Sequence, residues 1–308
     1  MNIVRSANEI SRSPSGVCLA IGVFDGVHLG HQHVLRQMLS DAREFEALPV
    51  AMTFDRHPNS VIAPDRVPPL LQTLSQRLRT IHSVGVETIL LLAFDEALSR
   101  IPGEQFIRDL HKDLGSIRSI CVGSTFTFGH KRSGNVDLLK KLGQQLGFHV
   151  HGMAAVSLDG QVVSSTRIRD CIRKGDLDGA GQMLGRTYAL GGTVIEGDHL
   201  GRKLGFATAN LDVSGMILPP NGVYAGHVQL GNGGTFRAVM NIGTRPTLES
   251  NSPAPRVEIH LLNFDGNLYG QELEMTIRCR LREEKKFPTL SDLQEQIRKD
   301  IATARQLF

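Results

Sequence analysis

One stretch of sequence decides the fold of the first half of the chain. It reads Val17-Cys-Leu-Ala-Ile-Gly22-Val-Phe-Asp-Gly26-Val-His28-Leu-Gly30-His31. It begins as an apolar run of strand length and passes into glycine-rich residues, which end strands because glycine tolerates tight turns. Residues 31–45 follow with apolar side chains at helical spacing. A strand, a glycine-rich loop and a helix in this order predict an α/β fold, whose ligands bind beyond the carboxyl ends of the strands.

The rest of the first half repeats this alternation. Strands are predicted at 50–54, 88–94, 117–122 and 148–153, and helices at 74–83, 104–114 and 136–146. Strands that alternate with helices are typical of a parallel sheet with crossover helices. We therefore predict a Rossmann-like α/β domain and place it at residues 1–184.

The second half has little helical periodicity until its end. Short β-rich runs recur at 188–195, 223–230, 236–242, 257–264 and 273–281, separated by Gly, Asn, Pro and Asp. This pattern predicts an antiparallel β-barrel or sandwich in a second domain of residues 185–308. A closing helix is predicted with Ser291 as its N-cap and with Leu293, Ile297 and Ile301 on one face.

Length and composition exclude several classes of protein. The 308 residues are enough for two domains, and 41% hydrophobic with 21% charged residues is typical of a globular chain. A formal net charge of +3, from 34 basic and 31 acidic residues, argues against nucleic-acid binding. No apolar run approaches the roughly 18 residues that a membrane span needs, and no protein partner is indicated.

Two further features favour a cytoplasmic protein. The first 16 residues lack the apolar segment of a secretory signal. The four cysteines, Cys18, Cys121, Cys171 and Cys279, are far apart and form no CxxC pair. We expect them to be free thiols that serve as small core residues in a reducing compartment.

The glycine-rich loop is a candidate nucleotide-binding site. Its candidate residues are Gly22, Phe24, Asp25, Gly26 and Gly30. Glycines let the backbone approach a phosphate closely, and a helix N-terminus offers free N–H groups. His28 and His31 lie near one face of the first helical turn, where both can bind phosphate oxygens and stabilise developing charge.

A second stretch, Val163-Ser-Ser-Thr-Arg167-Ile-Arg169, is predicted to begin a helix. The hydroxyls of Ser164, Ser165 and Thr166 and the helix N-terminus can bind ATP phosphates, and Arg167 can clamp them. The His28-Leu-Gly30-His31 motif and this stretch together resemble the nucleotidyltransferase superfamily, which joins the α-phosphate of a nucleotide to an acceptor.

Further motifs extend the resemblance along the chain. They are Thr53-Phe-Asp55-Arg-His57-Pro58, Thr125-Phe-Thr-Phe128-Gly129, Gly197-Asp-His-Leu-Gly201-Arg202-Lys-Leu-Gly205-Phe206-Ala-Thr208-Ala-Asn210, Gly222-Val-Tyr-Ala-Gly226, Asn241-Ile-Gly-Thr-Arg245-Pro-Thr247, Glu258-Ile-His260, Leu268-Tyr-Gly270 and Leu281-Arg282-Glu-Glu-Lys-Lys-Phe287. From about residue 16 onward, the chain resembles the bacterial bifunctional riboflavin kinase/FMN adenylyltransferases, or FAD synthetases. The resemblance implies a nucleotidyltransferase domain, a six-stranded kinase barrel and two ATP-dependent reactions, from riboflavin to FMN and from FMN to FAD with release of pyrophosphate.

The resemblance also implies residue roles. In the kinase, Glu258 is the base, Thr208 and Asn210 are ligands of Mg²⁺, and the phosphate-binding residues are Gly197, Gly201, Arg202 and Gly205. In the adenylyltransferase, His28, His31 and Arg167 are catalytic. Phe126 and Phe128 could line a flavin or adenine pocket, although lone aromatic residues more often belong to the core. Arg245 and Arg282 are candidates for the flavin site that could hold phosphate or only brace the barrel.

Three positions depart from the family pattern. Thr125 stands where the family has Asp or Asn, Asn135 where it has Asp, and Ala207 where it has Pro. The first two remove polar contacts from the adenylyltransferase flavin site, and the third loosens a loop because proline fixes φ. Two alternatives therefore stay open, which are a riboflavin kinase with a weakened or inactive adenylyltransferase domain and a non-catalytic flavin-binding sensor.

Overall fold

The computed structural model describes residues 1–10, 15–197, 201, 205–230, 233–243 and 255–308. It divides the chain into two compact units. Unit 1 comprises Met1–Pro69 and Leu74–Arg167, and unit 2 comprises Leu70–Thr73 and Ile168–Phe308. The domain boundary at 184/185 stays a prediction.

Unit 1 is built on a six-stranded parallel sheet. In chain order, the strands of the whole unit are β1 (Asn2–Val4), β2 (Val17–Ile21), β3 (Leu48–Phe54), β4 (Thr88–Leu92), β5 (Ile117–Gly123), β6 (Thr127–Phe128), β7 (Gly134–Asn135), β8 (His149–Met153), β9 (Ser157–Leu158) and β10 (Gln161–Val162). The sheet order is β1-β4-β3-β2-β5-β8, while β6–β7 and β9–β10 form separate antiparallel pairs. The order reverses at β2, which lies between β3 and β5, and such a switch point opens a crevice for ligands.

Helices cover both faces of the sheet. The helices of this part of the chain are α1 (Leu29–Glu44), α2 (Asn59–Ile62), α3 (Leu74–Ser83), α4 (Glu96–Ser99), α5 (Gly103–Leu114), α6 (Val136–Leu146) and α7 (Ser165–Lys174), with short 3₁₀ segments at Ala7–Glu9, Pro64–Arg66 and His130–Arg132. The helix α7 begins in unit 1 and continues into unit 2, because the division falls after Arg167. Leu19 packs with α5 and α6 on one face, while the next residue, Ala20, packs with α1 and α3 on the other. The predicted α/β fold is confirmed, and β2 is buried along its whole length because both of its faces are covered.

Unit 2 is a closed antiparallel barrel. Its elements are α8 (Leu177–Leu184), β11 (Ala189–Ile195), β12 (Ala209–Asp212), β13 (Gly222–Gln229), β14 (Thr235–Gly243), β15 (Arg256–Leu261), β16 (Glu272–Glu283) and α9 (Leu290–Gln306). The strands close in the order β11-β12-β15-β14-β13-β16. The five predicted strands are confirmed, and the sixth, β12, agrees with the number that the family resemblance implies.

The closing helix α9 starts earlier than predicted. Thr289 is its N-cap, because the Thr289 hydroxyl accepts a hydrogen bond from the Asp292 N–H at 3.1 Å. The prediction of Ser291 as N-cap was wrong, since Ser291 already lies in the first helical turn. The Thr289 hydroxyl also donates to the Asp292 carboxylate at 2.8 Å, and a carboxylate in the first turn is favoured by the helix dipole.

The cysteines are not joined by disulfides. None of the four forms a disulfide, and Cys18 and Cys121 are fully buried in unit 1. Burial raises the pKa of both thiols, and the nearby Asp41 carboxylate, which accepts a hydrogen bond from Cys121 Sγ at 3.3 Å, raises them further. These two residues therefore fit the expected role of small core residues. Among the described residues, every helix is too short or too polar to span a bilayer.

Candidate active sites

The loop between β2 and α1 has an unusual backbone. Phe24, Gly26 and Val27 have φ angles of 53°, 83° and 37°. Left-handed backbone at a non-glycine residue costs on the order of 1–3 kcal/mol, so the surroundings must hold it. The Phe24 ring is buried and lies against Gly22, where a Cβ would come within 2.9 Å of it. Glycine at position 22 therefore makes room for the ring that anchors the loop.

Hydrogen bonds to main-chain carbonyls hold this loop at three points. The carbonyl oxygens of Val23, Asp25 and Val27 accept hydrogen bonds from Thr53 Oγ1, Ser165 Oγ and Gln32 Nε2 at 3.1, 2.9 and 3.0 Å. Ser165 lies at the start of α7, so the two predicted phosphate-binding stretches meet in the structure. The crevice beyond the carboxyl end of β2 is therefore built by main chain in a fixed shape.

The two histidines form a stacked pair at the N-terminus of α1. Their ring centroids lie 3.7 Å apart with the planes 17° from parallel, and Phe24 contacts the His31 ring edge-on at 5.4 Å. His28 Nδ1 accepts a hydrogen bond from the His31 N–H at 3.3 Å and so caps the helix. Burial, helped by His28 and Arg77, lowers the pKa of His31 well below its ordinary value. His31 is therefore neutral at pH 7.

The second predicted phosphate-binding stretch, residues 163–169, lies at the start of α7, as expected. Ser164 Oγ accepts a hydrogen bond from the Arg167 N–H at 3.2 Å, and Thr166 is exposed. The Arg167 guanidinium donates from Nη1 to the carbonyls of Leu158 and Gln161 at 3.1 and 3.0 Å. Arg167 thus lies at the expected helix start, but here it binds the β9–β10 pair. Its contact with phosphate stays a prediction.

The two predicted flavin-binding phenylalanines pack together. The rings of Phe126 and Phe128 are stacked at 5.4 Å, and both are half-buried against the core of unit 1. A Cβ on Gly134 would lie 2.6 Å from the Phe128 ring, so this glycine is required by the packing. Phe126 and Phe128 therefore contribute to the packing of the core, as the sequence left open. Their contact with flavin stays a prediction.

Of the two departures in unit 1, the structure accounts for one. Asn135 is the N-cap of α6, and its side-chain oxygen accepts a hydrogen bond from the Leu138 N–H at 2.9 Å. Asp would make the same bond, because both residues are strong N-caps. Thr125 is exposed, and nothing in the structure explains its replacement of Asp or Asn.

A cavity of about 230 Å³ lies in unit 2 between the barrel and α9. It is lined by four of the predicted kinase and flavin residues, which are Gly201, Thr208, Glu258 and Arg282. Apolar residues from the strands and from α9 form the rest of its wall, including Val223, Val239, Phe287 and Ile297. A mostly apolar pocket with a few convergent polar groups is typical of a small-molecule site.

The polar end of the cavity carries oxygen ligands. Glu258 on β15 pairs in register with Asn210 on β12 and with Asn241 on β14. A Cβ on Gly201 would lie 2.7 Å from Thr208 Oγ1, and one on Gly197 would clash with the Asn210 amide. Position 201 needs glycine because a Cβ there would also lie 2.5 Å from the main-chain carbonyl oxygen of Phe206. Gly205 is exposed with a φ of 84°, and Arg202 and Arg245 lie outside the described residues.

The donor set fits Mg²⁺ better than a transition metal. Hydroxyl, carboxamide and carboxylate oxygens are the ligands that Mg²⁺ prefers, with substrate phosphates completing its shell. Within the described residues, no three His, Cys, Asp or Glu side chains lie together as a metal centre. Thr208 and Asn210 therefore suit an ion that arrives with ATP.

Arg282 is tied to the C-terminal helix. Its guanidinium donates from Nε and Nη2 to the Asp300 carboxylate at 2.8–3.0 Å, and Gln296 donates to the same carboxylate at 2.9 Å. The Arg282 side chain is 14% exposed and that of Asp300 is 7% exposed. Of the two roles left open for Arg282, the structure provides the bracing one.

One residue near the first site was missed by the sequence analysis. Arg77 on α3 is 4% exposed, and its guanidinium donates to the carbonyl oxygens of Val23, at 3.1 Å, and of Phe54. It shares a helix face with Leu78 and Ile81, which are core residues. A charged residue at an apolar position of an amphipathic helix was the available signal.

The fold and the two sites define a two-domain transferase that acts on nucleotide substrates. A family model for FAD synthetase matches residues 10–167, and one for riboflavin kinase matches residues 184–308. The chain belongs to the family of bifunctional riboflavin kinase/FMN adenylyltransferases. The family, the α/β-plus-barrel architecture and the enzyme class predicted from the sequence are thereby confirmed.

Relatives match the chain along its whole length. The bifunctional riboflavin kinase/FMN adenylyltransferase of Haemophilus influenzae is 35% identical over 308 residues, covering 100% of this chain and 99% of the relative. That of Escherichia coli K12 is 35% identical over 310 residues, covering 100% and 98%. A crystal structure from Streptococcus pneumoniae, described as a macrolide-efflux protein, is 27% identical with a TM-score of 0.81 and covers 99% of both chains.

Proposed function

We propose that this chain phosphorylates riboflavin to FMN in unit 2 and then adenylylates FMN to FAD in unit 1. The observation that carries the proposal is the barrel cavity, where Glu258, Thr208 and an apolar wall converge. Four cysteines that form no disulfide support a reducing cytoplasm as its location. The two family matches, which end at residue 167 and begin at 184, support residues 1–184 and 185–308 as the two catalytic domains.

The kinase reaction needs a base and a phosphate clamp. Glu258 takes the proton of the riboflavin 5′-hydroxyl as that oxygen bonds to the γ-phosphorus of ATP. The bond between the γ-phosphorus and the bridging oxygen breaks, and ADP leaves. The Gly197–Gly205 loop offers backbone N–H groups to the phosphates. Thr208 and Asn210 would hold Mg²⁺, which supplies neutralising charge to ATP when bound.

The adenylyl transfer needs no strong base. The FMN phosphate is already ionised, so one of its oxygens attacks the α-phosphorus of ATP and pyrophosphate leaves. The stacked His28 and His31 and the free N–H groups of α1 stabilise charge on the transferring phosphoryl group. Arg167 joins them if its guanidinium exchanges the carbonyls of Leu158 and Gln161 for phosphate oxygens.

A product analysis tests the proposal. Purified protein is incubated with riboflavin and excess Mg·ATP, and riboflavin, FMN and FAD are separated by chromatography. We expect FAD to form with FMN as an intermediate. Accumulation of FMN alone would mean that unit 1 has lost adenylyl transfer, and binding of riboflavin without conversion would mean that the chain is a flavin sensor.

A further inference from the structure

Arg77 stands out among the buried charged groups of unit 1 because of what it binds. Its side chain comes from α3 and is buried, and the hydrogen-bond acceptors that it reaches among the described residues are main-chain carbonyls. Placing an arginine in a core requires that its N–H groups be satisfied. The guanidinium Nε is buried and has no hydrogen-bond partner among the described residues. A packing role alone would be filled by an apolar side chain.

The two carbonyls lie at the ends of neighbouring strands. Val23 follows β2 and Phe54 ends β3, so the guanidinium joins the carboxyl edges of the two strands beside the crevice. The Val23 carbonyl is the point where the left-handed turn through Phe24 begins, and it also accepts from Thr53 Oγ1 at 3.1 Å. Arg77 therefore holds the first carbonyl of the loop that ends in His28.

The guanidinium also lies within electrostatic reach of the histidine pair. Its charge is one cause of the lowered pKa of His31, after burial and His28. Burial lowers the pKa of Arg77, while the charges of the Asp25 and Asp55 carboxylates oppose this shift and favour the charged guanidinium. Arg77 is thus a charged group beside the adenylyltransferase site as well as a loop anchor.

We propose that Arg77 is the positioning residue of the adenylyltransferase site, which it builds by joining the ends of β2 and β3 and so fixing the loop that carries His28 and His31. The proposal rests on the adenylyl transfer proposed for unit 1. Since a displacement of about 1 Å in a catalytic group can cost about 100-fold in rate, loss of this anchor should be visible in turnover.

The test uses the full chain, because its two reactions report on different units. In Arg77→Met, we expect kcat for FAD formation from FMN to fall by about 100-fold, with a smaller change in KM for FMN. The rate of riboflavin phosphorylation should stay at the wild-type value. Arg77→Lys keeps the positive charge but loses the planar guanidinium that reaches both carbonyls. We therefore expect its rate of FAD formation to lie between those of Arg77→Met and the wild-type chain.

Arg118→Met is the matched control. Arg118 is exposed near the amino end of β5, and its Nε donates to the Ser15 carbonyl at 2.7 Å. The same substitution there removes an arginine-to-carbonyl bond at the opposite edge of the sheet. We expect both reactions of Arg118→Met to run at wild-type rates, and an equal loss of adenylyl transfer in this control would overturn the proposal.

The position of the two histidine rings can be measured independently of activity. Stacked imidazole rings 3.7 Å apart shield each other's protons, so the ring signals of His28 and His31 in NMR spectra of the full chain report the stack. We expect Arg77→Met to shift these signals toward those of unstacked rings and Arg118→Met to leave them in place. Slower adenylyl transfer with unshifted ring signals would overturn the positioning role.

The remaining outcomes are decisive as well. Wild-type adenylyl transfer in Arg77→Met, or an equal loss of both reactions, would overturn the proposal. A wild-type chain that forms no FAD from FMN would overturn the proposed function of unit 1 itself. If Arg77→Met does not fold, Thr53→Val takes its place, because it removes the other donor to the Val23 carbonyl. In Thr53→Val, we expect kcat for FAD formation from FMN to fall by about tenfold. Unchanged turnover and ring signals in Thr53→Val would then overturn the proposal.

Discussion

The two units each bury an arginine beside their site, and the two arginines bind different partners. Arg77 in unit 1 donates to two main-chain carbonyls at the ends of neighbouring strands. Arg282 in unit 2 donates to the Asp300 carboxylate, which lies on the C-terminal helix. The first arginine shapes a loop of backbone, while the second joins a barrel strand to a helix through a charge pair.

The difference lies in what each arginine fixes. Arg77 holds main chain beside the His28–His31 pair. Arg282 holds α9 beside the cavity that Glu258 also lines. Substitutions that change one unit and spare the other therefore test whether the two sites are as independent as this comparison implies.

The largest effect is expected for Glu258→Gln. This change removes the base with little change in shape, so FMN formation should fall by about 10²- to 10⁴-fold. Riboflavin binding should remain, and FAD formation from added FMN should stay at the wild-type rate. The two initial rates and the riboflavin dissociation constant are the measurements. Unaltered FMN formation would rule out Glu258 as the base.

Asp300→Asn should weaken the barrel itself. The substitution leaves the largely buried side chain of Arg282 without its counter-ion, which we expect to cost at most about 3 kcal/mol of the free energy of unfolding of unit 2, the low end for buried pairs. The loss of unfolding free energy is measured by denaturant unfolding, with hydrogen exchange of the barrel amides as the readout. Glu295→Gln is the control, because its partner Lys299 is exposed and such pairs contribute little. If both variants are equally stable, Arg282 and Asp300 do not brace α9.

His31 should make the stability of unit 1 depend on pH. Its pKa is lowered in the folded chain by burial, His28 and Arg77, while the unfolded chain has the ordinary value near 6.5. Below about pH 6.5 the unfolded state therefore binds more protons than the folded state. Stability should fall with falling pH, by at most about 1.4 kcal/mol per pH unit, until the folded pKa is reached.

Hydrogen exchange of β2 and β3 amides between pH 5 and 7.5 measures this slope. We expect His31→Gln to have a flatter profile than the wild-type chain over the same range. An NMR titration in which His31 protonates near pH 6.5 would contradict the prediction, since the imidazole would then not be held neutral by its surroundings.

The smallest effect is expected for the helix cap in unit 1. Asn135→Ala should cost about 1 kcal/mol of unit 1 stability, because the Leu138 N–H loses its acceptor. Asn135→Asp should keep the cap and the rate of FAD formation. Thr289→Ala is the counterpart in unit 2, where we expect a similar cost confined to the barrel and α9. A large loss of FAD formation in Asn135→Ala with unchanged stability would mean that Asn135 contacts substrate.

The sequence was most informative where periodicity is strong. The helices α3 and α6 begin and end where the apolar spacing predicts, and β2 is the strand predicted before the glycine-rich loop. The strand β12 was missed because it has only four residues, among them Asn210 and Asp212, and it is defined by its partners β11 and β15. The edge strand β1 was missed for the same reason, since three residues are too few to show the alternation of apolar and polar residues that indicates a strand.

The sites were predictable as motifs but not as contacts. Motif residues that are distant in sequence, such as Asp25 and Ser165, were expected in one site and are joined by a hydrogen bond. The ion pair of Arg282 with Asp300 and the carbonyl contacts of Arg77 depend on side-chain directions that only the packed structure provides. A motif names the residues of a site, whereas the fold decides which of them bind each other.

The cap that His28 provides for α1 also decides where its proton resides. Because Nδ1 accepts the His31 N–H, the neutral ring must carry its hydrogen on Nε2. The opposite tautomer would remove the acceptor of this cap. The helix thus selects one tautomer of His28 and places an N–H donor at Nε2, which is the form suited to an anionic oxygen.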